Sequence, residues 1–255
     1  MAFKNTGLGE GAPDKASAEV ELFTDGTAEA RISSAEIGQG LVTVLQMVTA
    51  EELSIPIDQV RVLLSDTDLT PDGGPTTGSR QTYISGNAVK HAAGTLREAM
   101  KATLSERYDV APEEIRFIEG LAQVNGSKVP YGKVAEYMQE EGRHPRVMYE
   151  YWAPETTPLG EPGDKHFAYS FAAQAVEVEV DLDTGEVQVL RVVGATDVGR
   201  AINPLVLQCQ VDGGIILGIG HALTVEFIVE DGHVFTDYLA RYRMPSIKHI
   251  PLEIK

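Results

Sequence analysis

Three segments of this sequence carry more glycine and polar side chains than a fold alone requires, and each lies where a strand or loop leads into a predicted helix. The unpaired backbone amides at a helix N-terminus attract anions, so such junctions suit phosphate groups or a polar heterocycle. The candidate binding residues in these segments are Gly38, Gln39, Gly40, Thr76, Thr77, Gly78, Ser79, Arg80, Gln81 and Gln210.

The first segment covers residues 36–40 and has a glycine on either side of Gln39. Glycine lets a ligand approach the backbone closely, and the glutamine amide offers both a donor and an acceptor. A turn between a strand and a helix, with the amide facing solvent, would have the same composition. Taken alone, the segment is more typical of that ordinary turn.

The second segment, residues 73–82, combines four hydroxyl side chains, three glycines and Arg80 ahead of a predicted helix. Backbone amides and hydroxyls of such a loop can wrap a polar heterocycle or a diphosphate. Ordinary helix capping by Ser79 or Thr82 would explain part of the composition. This segment alone supports the two interpretations about equally.

The third segment, residues 208–220, places Gln210 and several glycines within an otherwise apolar helix. Glycines in a helix usually permit close packing, and backbone groups can satisfy a buried glutamine. On its own, this segment favours packing over ligand binding.

Composition narrows the classes of protein and partner. The chain has 255 residues, with 38 acidic and 21 basic side chains and a formal net charge of -17. Because this charge repels phosphate backbones and anionic lipid, and no basic run offsets it, we expect no nucleic-acid partner. Cys209 is the one cysteine, so this sequence can form no internal disulfide, four-cysteine iron–sulfur cluster or usual structural zinc site.

The sequence predicts neither a membrane span nor a signal peptide. Its most apolar stretch, residues 211–229, is interrupted by Asp212, His221, Glu226 and four glycines, which is atypical of a membrane helix. The N-terminus lacks the apolar core of a secretory signal. We therefore expect a cytoplasmic protein with no membrane contact.

Two periodicities predict the elements that position these segments. Residues 18–32 alternate apolar and polar side chains around an Asp25-Gly26 turn, which predicts a β-hairpin with one buried face. Helical spacing predicts a helix over residues 39–53, and composition predicts an irregular loop over residues 66–79. The long helix after the loop has an apolar face made of Val89, Ala92, Ala93, Leu96, Met100 and Leu104.

The second half of the chain repeats this arrangement. Residues 152–166 contain three prolines and show no periodicity, which predicts a surface connection or a boundary. Residues 176–193 have the pattern of a hairpin with its turn at residues 183–185. The following helix is predicted to begin with Asn203 as N-cap and Pro204 at its first position.

Together these patterns predict an α+β fold with two similar subdomains, each a mixed or antiparallel sheet with helices packed on it. We expect the first subdomain to span residues 1–152 and the second to span residues 153–255.

Five motifs follow one another over nearly the whole chain: EIGQG, PDGGPTTGSRQTYISGNAV, FAAQAVEVEVDLDTGEV, DVGRAINP and QVDGGIILGIGHAL. Their order resembles the molybdenum hydroxylase family, which includes xanthine dehydrogenase and aldehyde oxidase. The resemblance places the chain in the C-terminal molybdopterin-binding region of a large subunit. It implies molybdopterin, as the cytosine dinucleotide, carrying molybdenum in the complete enzyme.

The resemblance also assigns roles to residues. It implies that Gly38, Gln39 and Gly40 contact the pterin dithiolene and the oxo side of the metal. Residues 76–81 would line the pterin and its diphosphate, and Gln210 would bind the pterin from the later helix. No protein side chain is expected to bind the metal. The implied partners are the remaining large-subunit segments and iron–sulfur and FAD subunits or domains.

The sequence departs from the family in two places. Cys209 stands where the family usually has glycine. The GxGE segment that carries the family's catalytic glutamate does not occur before Lys255, and the first glycine-rich part of the cofactor-binding region does not precede Met1. We therefore expect a fragment or a split subunit that is inactive alone, contains no catalytic residue of its own, and exposes apolar surface that favours homo-oligomers.

The resemblance implies that the complete enzyme hydroxylates an aldehyde or an N-heterocycle with oxygen from water. Two other functions stay open. A non-catalytic module that holds the cofactor would retain it without turnover even beside the companion segments. A purely structural assembly domain would bind no pterin under any condition.

Overall fold

A computed structural model describes residues 1–247, 251, 253 and 254. The chain divides into two compact units. The larger unit is Asn5–Tyr169, and the smaller unit combines Met1–Lys4 with Ser170–Lys255. The subdomain boundary between residues 152 and 153 stays a prediction.

Helices and strands alternate along the chain, and the predicted α+β class is confirmed. The described α-helices are α1 (Leu41–Leu53), α2 (Gly86–Tyr108), α3 (Tyr131–Glu140), α4 (Pro204–Leu223) and α5 (Leu239–Tyr242). The described strands are β1 (Ala2–Thr6), β2 (Lys15–Leu22), β3 (Ala28–Ile32), β4 (Val60–Leu64), β5 (Arg116–Ile118), β6 (Leu121–Val124), β7 (Ser127–Pro130), β8 (Arg146–Trp152), β9 (Ala168–Val180), β10 (Val187–Asp197), β11 (Val229–Glu230), β12 (His233–Val234) and β13 (Glu253–Ile254).

The predicted hairpin forms the centre of the larger unit. Strands β2 and β3 pair antiparallel with Val20 opposite Ala30, and both residues are buried on the inner face. The outer face is charged, and Arg31 pairs there with Glu19 at 2.7 Å and Glu21 at 2.6 Å. The sheet order is β4-β3-β2-β8, with β4 parallel to β3 and β8 antiparallel to β2. Alternation in the sequence therefore gives the correct face for every residue of the hairpin.

Helices α1 and α2 cover the inner face of this sheet. Every apolar residue of the predicted α2 face is fully buried, including Leu96 and Met100. From α1, Leu41, Leu45 and Leu53 join the same core. The irregular loop is followed by a π-helical turn at Gln81–Ser85, which leads directly into α2.

A smaller sheet with the order β5-β6-β7 completes the larger unit together with α3. Phe117 and Tyr131 pack edge to face with ring centroids 5.6 Å apart. The Tyr131 hydroxyl donates to the carbonyl of Leu53 at the end of α1. This bond links α3 to the main helical layer.

The smaller unit contains a sheet with the order β1-β9-β10-β13 and the helix α4. Asn203 accepts a hydrogen bond from the amide of Val206 over 3.2 Å, and Pro204 is the first helical residue, so the predicted N-cap is confirmed. The described large apolar side chains that are buried in this unit are Val192 and Ile215. The smaller unit therefore has little apolar core of its own.

Helix α4 is long and apolar enough to cross a bilayer when judged by length and composition alone, with a mean hydropathy of 1.2. Helices that pack in the interior of a protein pass the same test. Asp212 and His221 lie within the helix.

Replacing Leu96 by alanine will destabilise the larger unit by about 2–5 kcal/mol, because the fully buried side chain leaves a cavity between α2 and the sheet. Urea unfolding followed by the fluorescence of Trp152, the single tryptophan, reports on this unit. The control Leu69→Ala removes the same atoms from a side chain that is 59% exposed and should change stability by at most about 0.5 kcal/mol. Equal losses in the two variants would contradict the assigned core.

Candidate functional site

Two of the three glycine-rich segments meet in the larger unit. Residues 34–40 lead into α1, and residues 73–85 lead through the π-helical turn into α2. A Cβ on Gly73 would lie 2.5 Å from the carbonyl oxygen of Ser33, so this close approach of the two backbones requires glycine. We call the surface formed by the two segments the paired junction.

Side-chain hydrogen bonds join the two halves of the paired junction. The backbone amide of Ala35 donates to Oγ1 of Thr76 over 2.9 Å. The Ser34 hydroxyl donates to Oε1 of Gln81, also over 2.9 Å. Within the loop, Nε2 of Gln81 donates to Oγ1 of Thr76 over 3.2 Å. We call residues 73–80 the threonine-rich loop. Because the first two bonds cross from one segment to the other, the backbone before α1 cannot move independently of this loop.

The carboxylate of Glu36 binds the amides at the N-terminus of α1. Oε1 accepts from Gly38 over 2.9 Å and from Gly40 over 3.0 Å, and Oε2 accepts from Val42 over 3.0 Å. Partial burial raises the pKa of Glu36, but hydrogen bonds from the backbone of Val42, Gly40, Gly38 and Leu41 outweigh it and lower the pKa below its ordinary value. The Glu36 carboxylate therefore occupies the N-terminus of α1, where the sequence predicts an anionic ligand.

Gln39 closes the turn that precedes α1. Its Nε2 donates to the carbonyl of Ala35 over 2.8 Å, and its Oε1 accepts from the amide of Ile37 over 2.7 Å. Gly38 and Gly40 have φ angles of 97° and 81°, in the left-handed region that favours glycine. The Gln39 amide thus has hydrogen-bond partners inside its own turn, and its contact with a ligand stays a prediction.

Arg80 is fully buried and organises the threonine-rich loop from within. Its Nε donates to Oδ1 of Asp14 over 2.7 Å. Nη1 donates to the carbonyls of Gly73 and Pro75, and Nη2 donates to the carbonyl of Lys15. The sequence predicts that Arg80 lines the cofactor. In the structure its guanidinium contacts protein groups and holds the shape of the loop, and a role in cofactor binding stays a prediction.

The outer part of the loop is accessible. Thr77 and Ser79 are both exposed, and Ser79 has a φ of 55°. The carbonyl of Gly78 accepts from the amide of Gly7 over 2.9 Å, which fixes the tip of the loop. No side chain caps the π-helical turn or α2, so helix capping by Ser79 or Thr82 does not explain the hydroxyls of this loop.

Gln210 lies on α4 in the smaller unit and is exposed. Residues 38–40 and 76–81 of the predicted set lie in the larger unit, where Ser34 and Ala35, just before the first group, bond to Gln81 and Thr76 of the second. The structure places Gln210 in the other unit, where its role in cofactor binding stays a prediction.

Two of the groups that hold the paired junction were not among the predicted residues. Asp14 lies 66 positions before its partner Arg80, and nothing in its local sequence indicates a buried carboxylate. Glu36 did have a signal, because an acidic side chain just before a helix commonly binds the first amides of that helix.

An aromatic cluster lies beside the π-helical turn and was also missed. The ring of Tyr83 is 4.9 Å from that of Phe167 and 6.4 Å from that of Tyr151. His91 stacks on Tyr149 at 4.9 Å and on Tyr151 at 5.9 Å. Burial raises the pKa of Tyr151 to about 12, and the hydrogen bond with Tyr83 adds to the shift. These contacts fix the first turn after the threonine-rich loop.

Two cavities are lined by residues that do not belong to the paired junction. One of about 250 Å³ lies between β10 and α4 of the smaller unit, and one of about 320 Å³ lies over strands β5 to β7. Among the residues that the structure describes, no three His, Cys, Asp or Glu side chains come together in a way that could hold a metal ion. The chemistry of the paired junction is that of backbone amides, hydroxyls, glutamine amides and one anchored carboxylate.

Comparison with known proteins identifies a family. Residues 1–251 match the family of molybdopterin cofactor-binding domains. The chain is 31% identical over 241 residues to the 6-hydroxypseudooxynicotine dehydrogenase complex subunit gamma of Paenarthrobacter nicotinovorans, covering 91% of this chain and 29% of that protein. It is 29% identical over 242 residues to the xanthine dehydrogenase molybdenum-binding subunit of Escherichia coli, covering 92% of this chain and 31% of that protein.

Solved structures show the same fold. Quinoline 2-oxidoreductase from Pseudomonas putida 86 matches with a TM-score of 0.81 and 26% identity, over 99% of this chain and 33% of that one. Aldehyde oxidoreductase from Desulfovibrio desulfuricans matches with a TM-score of 0.78 and 27% identity, over 99% of this chain and 25% of that one. The chain spans about a third of the length of the curated relatives it matches.

Replacing Asp14 by asparagine will destabilise the larger unit by about 3–5 kcal/mol, because the guanidinium of Arg80 stays buried without its counter-charge. Urea unfolding monitored through Trp152 measures the loss. The control Glu106→Gln breaks the exposed pair with Arg143 and should cost less than about 1 kcal/mol. A loss in Asp14→Asn as small as that of the control would show that the ion pair does not hold the loop.

The pH dependence of stability in the Glu36→Gln variant tests whether the Glu36 carboxylate stabilises the N-terminus of α1. Because the folded state lowers the pKa of Glu36, its contribution is fully present above the pKa of the unfolded chain and disappears as the pH falls through the folded pKa. Near neutral pH the free energy of unfolding of wild type should therefore exceed that of Glu36→Gln by up to about 1 kcal/mol. The value is modest because solvent screens the exposed carboxylate.

The same urea titrations, carried from neutral to acid pH, provide the check. The two proteins should converge in stability at acid pH. The control Glu51→Gln, at the opposite end of α1, should not lower stability at neutral pH, since a negative charge is unfavourable at a helix C-terminus. A difference between wild type and Glu36→Gln that does not vary with pH would refute the assignment.

Proposed function

The chain belongs to the molybdopterin cofactor-binding domain family, and from this premise we propose that it supplies part of the cofactor site in the large subunit of a molybdenum hydroxylase. We place it in the C-terminal molybdopterin-binding region of that subunit, with subdomains at residues 1–152 and 153–255. The cofactor is proposed to be the cytosine dinucleotide form. The proposed reaction hydroxylates an aldehyde or an N-heterocycle with oxygen from water.

The observation that carries the proposal is the paired junction, where two separate segments with backbone and hydroxyl donors are held together by direct hydrogen bonds. Thr77 and Ser79 lie on the outer part of a loop that the buried Arg80 holds in shape. A Cβ on Gly38 would meet no atom within 4 Å, so a flat ring system can approach the backbone there. These groups fit a polar pterin with an anionic tail. When bound, the cofactor supplies the redox and oxygen-transfer chemistry.

The residues of this chain bind and orient the cofactor. We assign Gly38, Gln39 and Gly40 to its pterin end and residues 76–81 to the pterin and its diphosphate. To reach a ligand, Gln39 would exchange its bonds within the turn for bonds of the same type, which costs little free energy. Gln210 would add a second glutamine amide from α4.

Glu36 is assigned an anchoring role rather than proton abstraction. Its carboxylate binds three backbone amides, and its lowered pKa makes it a weak base near neutral pH. A general base works best when its pKa lies near the operating pH. We therefore place the base outside the paired junction, and we expect no turnover from the 255-residue chain alone.

The proposed partners are the remaining segments of the large subunit and iron–sulfur and FAD subunits or domains. This proposal is supported by the length of the relatives, since the chain spans about a third of them, and by their names, which describe subunits. We propose a cytoplasmic enzyme without nucleic-acid or membrane partners.

Production of the chain in cells that make molybdopterin tests the proposal. We expect pterin and molybdenum to be retained after purification, measured by the fluorescence of oxidised pterin and by elemental analysis. Thr77→Val combined with Ser79→Ala should lower retention about tenfold, because each lost hydroxyl removes a hydrogen bond worth about 1 kcal/mol or less.

Ser127→Ala is the matched control, because it removes an exposed hydroxyl from the first residue of β7, far along the chain from the loop. It should leave retention unchanged. If wild type carries no pterin even when the companion segments are produced with it, the cofactor-binding function is wrong. If the double variant retains as much as wild type, the assignment of the loop is wrong.

A further inference from the structure

The tip of the threonine-rich loop is a tight turn from Thr77 to Arg80. The amide of Arg80 closes this turn, because it donates to the carbonyl of Thr77 over 3.2 Å. The two central residues, Gly78 and Ser79, have φ angles of 62° and 55°. Residues other than glycine rarely adopt a positive φ, and they do so where surrounding contacts impose it. Ser79 is therefore held in this conformation by contacts from outside the turn.

A loop near the N-terminus provides such a contact. We call residues 7–14, between β1 and β2, the N-terminal loop, which belongs to the larger unit. The amide of Gly7 donates to the carbonyl of Gly78 over 2.9 Å. This carbonyl is part of the peptide plane that joins Gly78 to Ser79. The bond therefore fixes the orientation of the central peptide of the turn.

The orientation of that peptide decides where the amide of Ser79 points. In a planar trans peptide the carbonyl and the amide point in opposite directions. Because the Gly78 carbonyl points at Gly7, the Ser79 amide points away from the N-terminal loop. Ser79 is exposed, and within the described part of the chain no protein group accepts a hydrogen bond from its amide. The turn thus presents a backbone donor to solvent together with the hydroxyls of Thr77 and Ser79.

The two loops approach so closely at this bond that both residues are glycine. A Cβ on Gly78 would lie 3.0 Å from the carbonyl oxygen of Gly7. A Cβ on Gly7, whose φ is 85°, would lie 2.5 Å from the ring of Phe167 and 2.9 Å from Oδ2 of Asp14. These distances are shorter than the normal separation of non-bonded atoms. A methyl group at position 7 would therefore displace the Gly7 amide from the Gly78 carbonyl.

The N-terminal loop is itself held on two sides. Asp14 joins it to the threonine-rich loop, because Oδ2 accepts from the amide of Leu8 over 2.9 Å while Oδ1 accepts from Nε of Arg80 over 2.7 Å. On the other side, the amide of Glu10 donates to the carbonyl of Lys165 over 2.7 Å. Protein contacts alone therefore set the position from which Gly7 acts on the turn.

We propose that Gly7 is a positioning residue of the cofactor site. Its amide holds the Gly78 carbonyl and so directs the Ser79 amide outward, as a donor to the diphosphate of the cofactor. Backbone amides at turns bind phosphate oxygens, and a hydrogen bond to a charged acceptor is roughly twice as strong as a neutral one. The inference rests on the proposed function, and it adds a residue that acts on the cofactor through the threonine-rich loop.

Pterin retention in a Gly7→Ala variant tests this role. The chain is produced with the companion segments in cells that make molybdopterin, and pterin is measured by its fluorescence after oxidation. Gly7→Ala should lower retention per folded protein about tenfold or more, because a hydrogen bond to a charged group is lost.

Gly9→Ala is the matched control. Gly9 is buried in the same loop and has a φ of 67°, and a Cβ there would overlap the ring of His166 and lie 2.6 Å from the carbonyl oxygen of Lys165. It should destabilise the larger unit as Gly7→Ala does, measured by urea unfolding through Trp152, but the folded protein should retain pterin as wild type does. Equal losses of retention in the two variants would show that Gly7 acts through stability alone and would overturn the inference.

Hydrogen exchange in wild type tests the same role should Gly7→Ala fail to fold. Exchange at single residues is measured by mass spectrometry in protein with cofactor and in protein from cells that cannot make molybdopterin. The amide of Gly7 should exchange slowly in both preparations, whereas the amide of Ser79 should exchange several-fold more slowly when pterin is bound. Fast exchange at Gly7, or the same rate at Ser79 in both preparations, would contradict the positioning role.

The outcomes separate this inference from the cofactor assignment. Wild type that carries no pterin, even beside the companion segments, would remove the proposed function and this inference with it. Pterin at the same level in wild type and in folded Gly7→Ala would leave the cofactor-binding function intact and overturn the positioning role alone.

Discussion

The larger unit depends on one buried ion pair, between Arg80 and Asp14. Arg80 has no exposed side-chain surface, and it pairs with Asp14 while its other donors reach the carbonyls of Gly73, Pro75 and Lys15. A buried guanidinium is tolerated when it is paired and its N–H groups have acceptors. These acceptors come from the start of β2 and from the threonine-rich loop. The hydrogen bonds that satisfy Arg80 therefore fix the threonine-rich loop on the sheet.

The paired junction follows from this constraint. With the loop in place, Thr76 and Gln81 reach Ala35 and Ser34, and the approach to α1 is held at the same surface. Glu36 then satisfies the first amides of α1 from inside the turn. The groups that hold the backbone are satisfied within the protein, and the outer hydroxyls of the loop are the ones a ligand can use. This separation suits a binding site whose shape must not depend on occupancy.

The periodicity of apolar residues correctly predicted which faces of the hairpin and of α2 are buried. The hairpin and α2 have the expected faces because alternation and helical spacing decide which side chains are buried. Arg80 shows the limit of this reasoning. An arginine in a glycine-rich loop has the same local pattern whether it faces a ligand or lies in the interior, and the difference here is Asp14, 66 positions away. The role of Glu36 could have been predicted from the sequence, because it binds backbone amides of the helix that directly follows it.

Gln210, which we propose as a ligand of the cofactor, lies on a helix of the smaller unit that has few buried contacts. It is carried by α4, the helix that borders the cavity beside β10 and exposes Leu205 and Leu217. A helix with unfilled space on one side and exposed leucines has few contacts that restrict its position. A glutamine amide selects a ligand only when its position is held to a fraction of an ångström. Under the proposed function, any contact that restricts the position of α4 would therefore also strengthen cofactor binding by Gln210, and the bound cofactor would in turn restrict α4.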